Sequence, residues 1–162
     1  MSVERKGTHQ DMSRTTRVMS CRPEDVWAVL EDGWSYGMWV VGAARIREVD
    51  PGWPEAGSLI HHSVGAWPVL LSDTSVVERV EPRHMLQLKV KAWPTGEGRV
   101  VLTLTPTADG QTEVVMEERA VSGPATMIPA PAQDVVLHQR NVEALRRLAY
   151  LAEHRARSGS GS

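Results

Sequence analysis

The apolar period of this 162-residue chain changes once, and that change limits the fold more than any other feature. From Ala44 to Val121 apolar residues recur in short β-type runs separated by turn signals. The predicted strands there are Ala44–Val49, Ser58–Val64, Val69–Val80, Met85–Ala92, Arg99–Pro106 and Thr112–Val121. The breaks are Asp50-Pro51-Gly52, Gly65, Pro82, Pro94-Thr95-Gly96 and Asp109-Gly110. Asp-Gly favours a type I′ hairpin, whose central residues need positive φ. Connections this short favour antiparallel neighbours over crossover helices.

After a Gly, Pro and Ala-rich stretch (Gly123 to Pro131) the period becomes helical. Val135, His138, Val142, Leu145, Ala149 and Ala152 fall at spacings of 3-4-3-4-3, one apolar stripe. The predicted helix runs from Ala132 to about Arg155, roughly 35 Å at 1.5 Å per residue. Arginines near its C-terminal end complement the helix dipole.

Ahead of the strands, Arg14–Ser20 is rich in β-branched residues and predicts a first strand. In Pro23-Glu24-Asp25-Val26-Trp27-Ala28-Val29-Leu30, proline suits the first helical position and the acids suit the first turn. A second short helix or turn is expected across Gly33 to Val41, with Trp34, Tyr36, Met38 and Trp39. Residues 1–12 read as a flexible lead, 13–157 as one domain, and 158–162 as an appended Gly/Ser linker. The order β, α, α, six strands, long α is the α+β layer solution: an antiparallel sheet with helices on one face. A curved sheet gripping one long helix leaves a cavity between them.

Composition removes several function classes. A net charge of −2 gives no electrostatic footprint for nucleic acid. No apolar run approaches the roughly 18 residues of a membrane span. A single cysteine, Cys21, excludes an internal disulfide and a multi-cysteine zinc site, and a cytoplasmic location is expected. The aromatic set is unusual: six Trp, two Tyr and no Phe.

The residue order resembles the SRPBCC superfamily, the START, birch-pollen-allergen and polyketide cyclase/dehydrase group, over about Thr15 to Glu153. The carriers are Pro23 to Leu30, Tyr36 with Trp39, Val49-Asp50-Pro51-Gly52-Trp53-Pro54 leading to Gly57, His61-His62, Val76 to Pro82, and Asn141 to Ala149. It looks most like the polyketide cyclase/dehydrase branch. The resemblance implies a helix-grip fold: a curved antiparallel sheet of about seven strands, two short helices after the first strand, and one long C-terminal helix over a cavity. It carries no universal catalytic motif. The family often places Phe near the cavity, so a chain without Phe reads either as a pocket altered by engineering or as a Trp-rich natural variant.

Candidate site residues follow from strand and helix parity. His61 and His62 are adjacent on a strand, so at most one faces the cavity, and His61 is taken as the catalytic candidate. On Thr112–Val121 the set Val114, Met116, Glu118, Ala120 is the more apolar, which turns Met116 and Glu118 inward. A carboxylate in an apolar pocket can serve as a base; the alternative is an edge or rim glutamate paired with an arginine. His138 and Asn141 lie on or beside the helix stripe, with Val142 and Leu145, as structural partners or ligand contacts. Asp73 is a second carboxylate candidate whose face is ambiguous. Trp34, Tyr36 and Trp39 cluster where a helix-grip protein has its cavity mouth, suited to flat apolar ligands. No metal-ligand spacing, nucleophile elbow or Gly-rich phosphate loop occurs, so neither metal nor cofactor is expected.

Three readings result. The first is a binding module for a small hydrophobic or aromatic molecule. The second is an enzyme doing proton-transfer chemistry, such as cyclisation, dehydration or isomerisation, with Glu118, His138 and His61 or His62. In it Asn141 or Tyr36 would polarise a carbonyl. The third is a regulatory interaction protein. Oligomeric state is left open.

Overall fold

A computed structural model describes residues 12–66, 69–92 and 96–160. The expected lead is outside these residues except for its last member, as are Trp67, Trp93 and the final two residues of the tail.

The strands are β1 (Ser13–Met19), β2 (Ala43–Val49), β3 (Leu59–Ala66), β4 (Val69–Glu81), β5 (Met85–Ala92), β6 (Gly96–Pro106) and β7 (Thr112–Ser122). The helices are α1 (Pro23–Leu30), α2 (Tyr36–Trp39) and α3 (Ala130–Gly159), with short 3-10 turns at Gly33–Ser35 and Pro124–Met127. The seven strands form one antiparallel sheet in the order β1-β7-β6-β5-β4-β3-β2. The chain thus starts next to its last strand and then walks back across the sheet by hairpins. This is the expected α+β helix-grip architecture. The α3 helix packs on β1, β7, α1 and α2.

The reasons are local. Pro23 opens α1, and the backbone N–H of Arg22 donates to the Asp25 carboxylate at 3.1 Å. The α1 stripe of Val26, Trp27, Val29 and Leu30 is buried. Asp32 then accepts from the Trp34 N–H, and the Ser35 hydroxyl donates to the Val29 carbonyl at 2.7 Å, folding the chain back into α2. Gly33 is required there: a Cβ would lie 2.5 Å from Val49 Cγ1. Along β7 the inward set is Thr112, Val114, Met116 and Glu118, the parity expected for this strand. Leu86, Leu88, Val100, Leu102 and Leu104 complete the core floor, and Cys21 packs as a small buried apolar group.

The α3 stripe differs from the expected one. The buried positions are Asn141, Ala144, Leu145, Leu148, Ala149 and Ala152, while Val135 and Val142 are exposed. The C-terminal half of the expected stripe is right; the N-terminal half is rotated. Leu145, Leu148 and Ala152 fix the helix against α1 and the core. The straight 3.6-residue period then brings Asn141, not Val142, to the sheet. The helix also starts two residues earlier and ends four residues later than expected.

Candidate functional site

The N-terminal half of α3 touches β1 through His138 and Thr15 but stands off the middle of the sheet, and among the described residues two chambers lie between them. The inner chamber has a volume of about 260 Å³. Its apolar wall comes from Val64 on β3, Leu88 and Val90 on β5, Val100 on β6, Met116 on β7, Trp39 on α2 and Ala144 on α3. The outer chamber, about 360 Å³, lies toward the start of α3 under Ile128, Val136 and Leu137. Val90, Glu118 and Arg140 border both.

Glu118 and Arg140 form the partition. Arg140 Nη2 donates to Glu118 Oε1, linking β7 to α3 across the gap. Glu118 is buried at 6% exposure, and its Oε2 has no hydrogen-bond partner among the described residues. Glu118 is paired with an arginine, but as a buried residue facing the chamber and not at an edge or rim. Arg140 was not a sequence candidate. The available signal was the inward parity of Glu118, because a carboxylate turned into an apolar space requires a counter-charge.

A second polar group sits at the α2 end. The Tyr36 hydroxyl is 2.7 Å from Ser75 Oγ, and Ser75 Oγ is 3.1 Å from His62 Nε2. Tyr36 and His62 both line the inner chamber, and their rings lie 5.6 Å apart, so Ser75 joins them from behind the wall. Burial pushes the Tyr36 phenol up to about 12, against the opposing effect of its hydrogen bond to Ser75. Burial also lowers the His62 pKa from its ordinary value, partly offset by the charge of Asp73. The imidazole is therefore neutral at pH 7, with Nδ1 unpartnered among the described residues. Trp39 and Trp53 meet Tyr36 edge-on, with centroids 5.5 and 6.3 Å away, and hold it in place.

The structure sorts the candidates. Tyr36, Trp39, Met116, Glu118 and Asn141 line the inner chamber. His62, not His61, is the cavity histidine: His62 is 2% exposed, and His61 points through the other face because neighbouring strand residues alternate. His138 lies outside the chamber. It is an exposed residue on the side of α3 toward β1, with Nδ1 3.2 Å from Thr15 Oγ1. Trp34 is 60% exposed, because the 3-10 turn directs it away from the mouth. Val142 is 42% exposed on the outer side of α3, and Leu145 is fully buried in the core beside the chamber. Asp73 shares the inner face with Ser75 and Val77, directly opposite His62 in the β3–β4 register. Among the described residues no three His, Cys, Asp or Glu side chains gather as a metal site. No described helix is long and apolar enough to cross a membrane.

Residues 9–153 match the family model described as polyketide cyclase / dehydrase and lipid transport. No curated protein matches the chain significantly. Among solved structures the chain is similar to the Zhui aromatase/cyclase from Streptomyces sp. R1128, with a TM-score of 0.70 and 17% identity over 93% of this chain and 98% of that one. Protein MLL2253 from Mesorhizobium loti gives 0.65 and 20% over 88% and 97% of the two chains. Ara h 8.0201 gives 0.67 and 10% over 88% and 97%. At these identities the likeness concerns the fold alone. The family match covers nearly the whole chain, and with a seven-stranded sheet gripping one long helix over a cavity it makes the chain a member of the polyketide cyclase/dehydrase branch of the SRPBCC superfamily.

Proposed function

We propose that the chain binds a small apolar or aromatic molecule in the inner chamber between the sheet and α3. The observation that carries this reading is the chamber itself: about 260 Å³ bounded by aliphatic side chains, Met116 and Trp39, with a few convergent polar groups. Cores normally fill such space with side chains, and ligand sites of this size combine apolar walls with a few placed polar groups. The test is titration with naphthalene and other flat hydrocarbons, read by calorimetry and by tryptophan emission. Saturable binding that is lost in Ala144→Trp, which fills the chamber from α3, supports the reading. No binding across such a panel overturns it.

A second reading, acid–base catalysis in the same chamber, is favoured by the buried His62–Ser75–Tyr36 chain. A neutral imidazole can accept a proton, and a phenol held protonated can donate one. His62 is then the base and Tyr36 the acid, while Glu118 serves Arg140. Turnover would persist below pH 6.5, since His62 is lowered from that value, and would be abolished in His62→Asn with binding retained. Binding without turnover of any enolisable ketone leaves the first reading alone standing.

A further inference from the structure

We propose that the outer chamber is a second binding site, for a molecule with an apolar chain and an anionic oxygen head such as a carboxylate, and that Arg140 receives the head. The site is separate from the inner chamber and does not rest on the binding reading above.

The chamber exists because two residues of its floor are small. The inward rows of β6 and β7 pair Leu104 with Val114, Leu102 with Met116 and Val100 with Glu118. The next row pairs Gly98 with Ala120, and Val90 lies beside Gly98 on β5. The backbone does not require glycine at position 98. Its φ lies outside the left-handed region, and a Cβ there would meet the Arg119 carbonyl oxygen at 3.5 Å and Glu118 Oε1 at 3.8 Å, both ordinary contacts. Glycine inside a strand weakens it. What the missing side chain leaves in return is open volume, about 360 Å³ under the start of α3. Ile128 and Val136, at the α3 side, are 47% and 66% exposed, so the chamber is reached from solvent. Val90, Ala120, Ala132 and Leu137 supply apolar wall for a ligand chain.

Charge selects the head. Glu97, Glu118, Arg119 and Arg140 border the chamber. Both carboxylates already hold a cation: Lys89 Nζ is 3.0 Å from Glu97, and Arg140 Nη2 donates to Glu118. With Lys89 these groups give three cations to two anions, a local surplus opposite in sign to the net −2 of the whole chain. The Arg140 side chain is 39% exposed and that of Glu118 only 8%, so the arginine is the member of the pair that a ligand meets. A guanidinium carries five N–H donors and can serve two carboxylates at once. A ligand carboxylate therefore takes charge-assisted hydrogen bonds from Arg140. An alcohol takes a weaker neutral one. An ammonium head meets two guanidiniums and carboxylates that are already paired.

The experiment is calorimetric titration of the full chain with octanoate, 1-octanol and octylammonium. Octanoate should bind about tenfold or more tighter than either of the others, the scale of hydrogen bonds to a charged group. In the double variant Glu118→Gln with Arg140→Met, which strands no charge, that preference should shrink to about threefold or less. Ala120→Trp and Gly98→Val fill the chamber from β7 and β6, and each should remove octanoate binding while naphthalene, the probe of the inner chamber, binds as before. Gly98→Val should also melt no lower than the parent, since valine replaces glycine within a strand. Circular dichroism melts check the fold of every variant. Equal affinity for octanoate and octanol, or tighter binding of octylammonium, overturns the anionic head. Octanoate binding that survives both filled variants, or that is lost in Ala144→Trp, places the molecule in the inner chamber and overturns the second site. No octanoate binding beside saturable naphthalene binding overturns this site and leaves the inner one standing.

Discussion

The Glu118–Arg140 pair gives a prediction whose size follows from its burial. Replacing Arg140 by Met keeps an unbranched apolar stem of similar reach but leaves the Glu118 carboxylate without its cation. Breaking a fully buried pair costs about 3–5 kcal/mol, whereas an exposed pair contributes about 0–1 kcal/mol. Here the glutamate side chain is 8% exposed and the arginine side chain 39%, so one partner is desolvated and the other is half in water. The expected loss lies between those limits, about 2 kcal/mol. For a chain of this length that lowers Tm by about 4–8 °C. Urea unfolding at neutral pH, followed by far-UV circular dichroism, measures it. The decisive arm is Glu118→Gln combined with Arg140→Met. If the cost is a stranded charge, the double variant is more stable than Arg140→Met alone by about 1 kcal/mol or more. A single variant within about 0.5 kcal/mol of the parent, or a double variant no better than the single one, refutes the reasoning.

Other expectations are simpler. Leu148→Ala opens a cavity at a fully buried position and should cost about 2–5 kcal/mol in denaturant unfolding; a loss below about 1 kcal/mol would show that α3 is not clamped there. Gly96→Ala should destabilise by more than about 1 kcal/mol, because φ is +112° and the new Cβ would lie 2.0 Å from the Ser122 carbonyl oxygen. Unchanged thermal stability of that variant would contradict the tight β6–β7 approach. Glu78 is held down to about 2, chiefly by its hydrogen bonds from the Arg99 guanidinium. A carboxyl lowered in the folded state contributes stability that is present above its ordinary value of 4.5 and fades as pH falls toward 2. Glu78→Gln should therefore flatten the acid limb of the stability profile and leave its neutral-to-basic shape alone.

The fold was legible because its signals are periodic. Strand parity turned Glu118 and Met116 inward, and Pro23 with Glu24 and Asp25 marked α1. The site was harder, because it depends on where two elements face each other. Adjacent histidines on a strand must split between faces, but choosing His62 over His61 requires the β3–β4 register, which sets His62 against Asp73. The α3 stripe misled for a related reason. Val135, His138 and Val142 continue an apolar-looking series, yet the helix turns that face outward and sets Arg140, Asn141 and Ala144 toward the inner chamber. No core contact rewards apolar residues there. Arg140 was invisible because arginines on a long helix are ordinarily solvated, and only the partner on β7 gives it a role.

The aromatic composition acquires a physical reason at the α2 corner. Phe would pack there, but it carries no polar handle. Trp53 Nε1 donates to the Leu30 carbonyl at 3.1 Å, and the Tyr36 hydroxyl meets Ser75 at 2.7 Å. The rings that support this wall therefore do two things: they fill volume, and they tie α2 and the turn after β2 to the end of α1 and to β4. A hydrogen bond from a buried ring contributes about 1 kcal/mol and, more usefully here, fixes where the ring lies. The opposite boundary is built differently. It is α3, joined across the chambers by the Glu118–Arg140 pair and flanked by the exposed Ile128, Val135 and Val136. One side of the chamber is tethered through several aromatic contacts, and the other combines the Glu118–Arg140 pair with the seat of Leu145, Leu148 and Ala152 in the core. Tyr36→Phe separates the two roles: packing is kept, the tether to Ser75 is lost, and about 1 kcal/mol of stability should go with it. Unchanged stability in Tyr36→Phe would show that ring packing alone defines this wall.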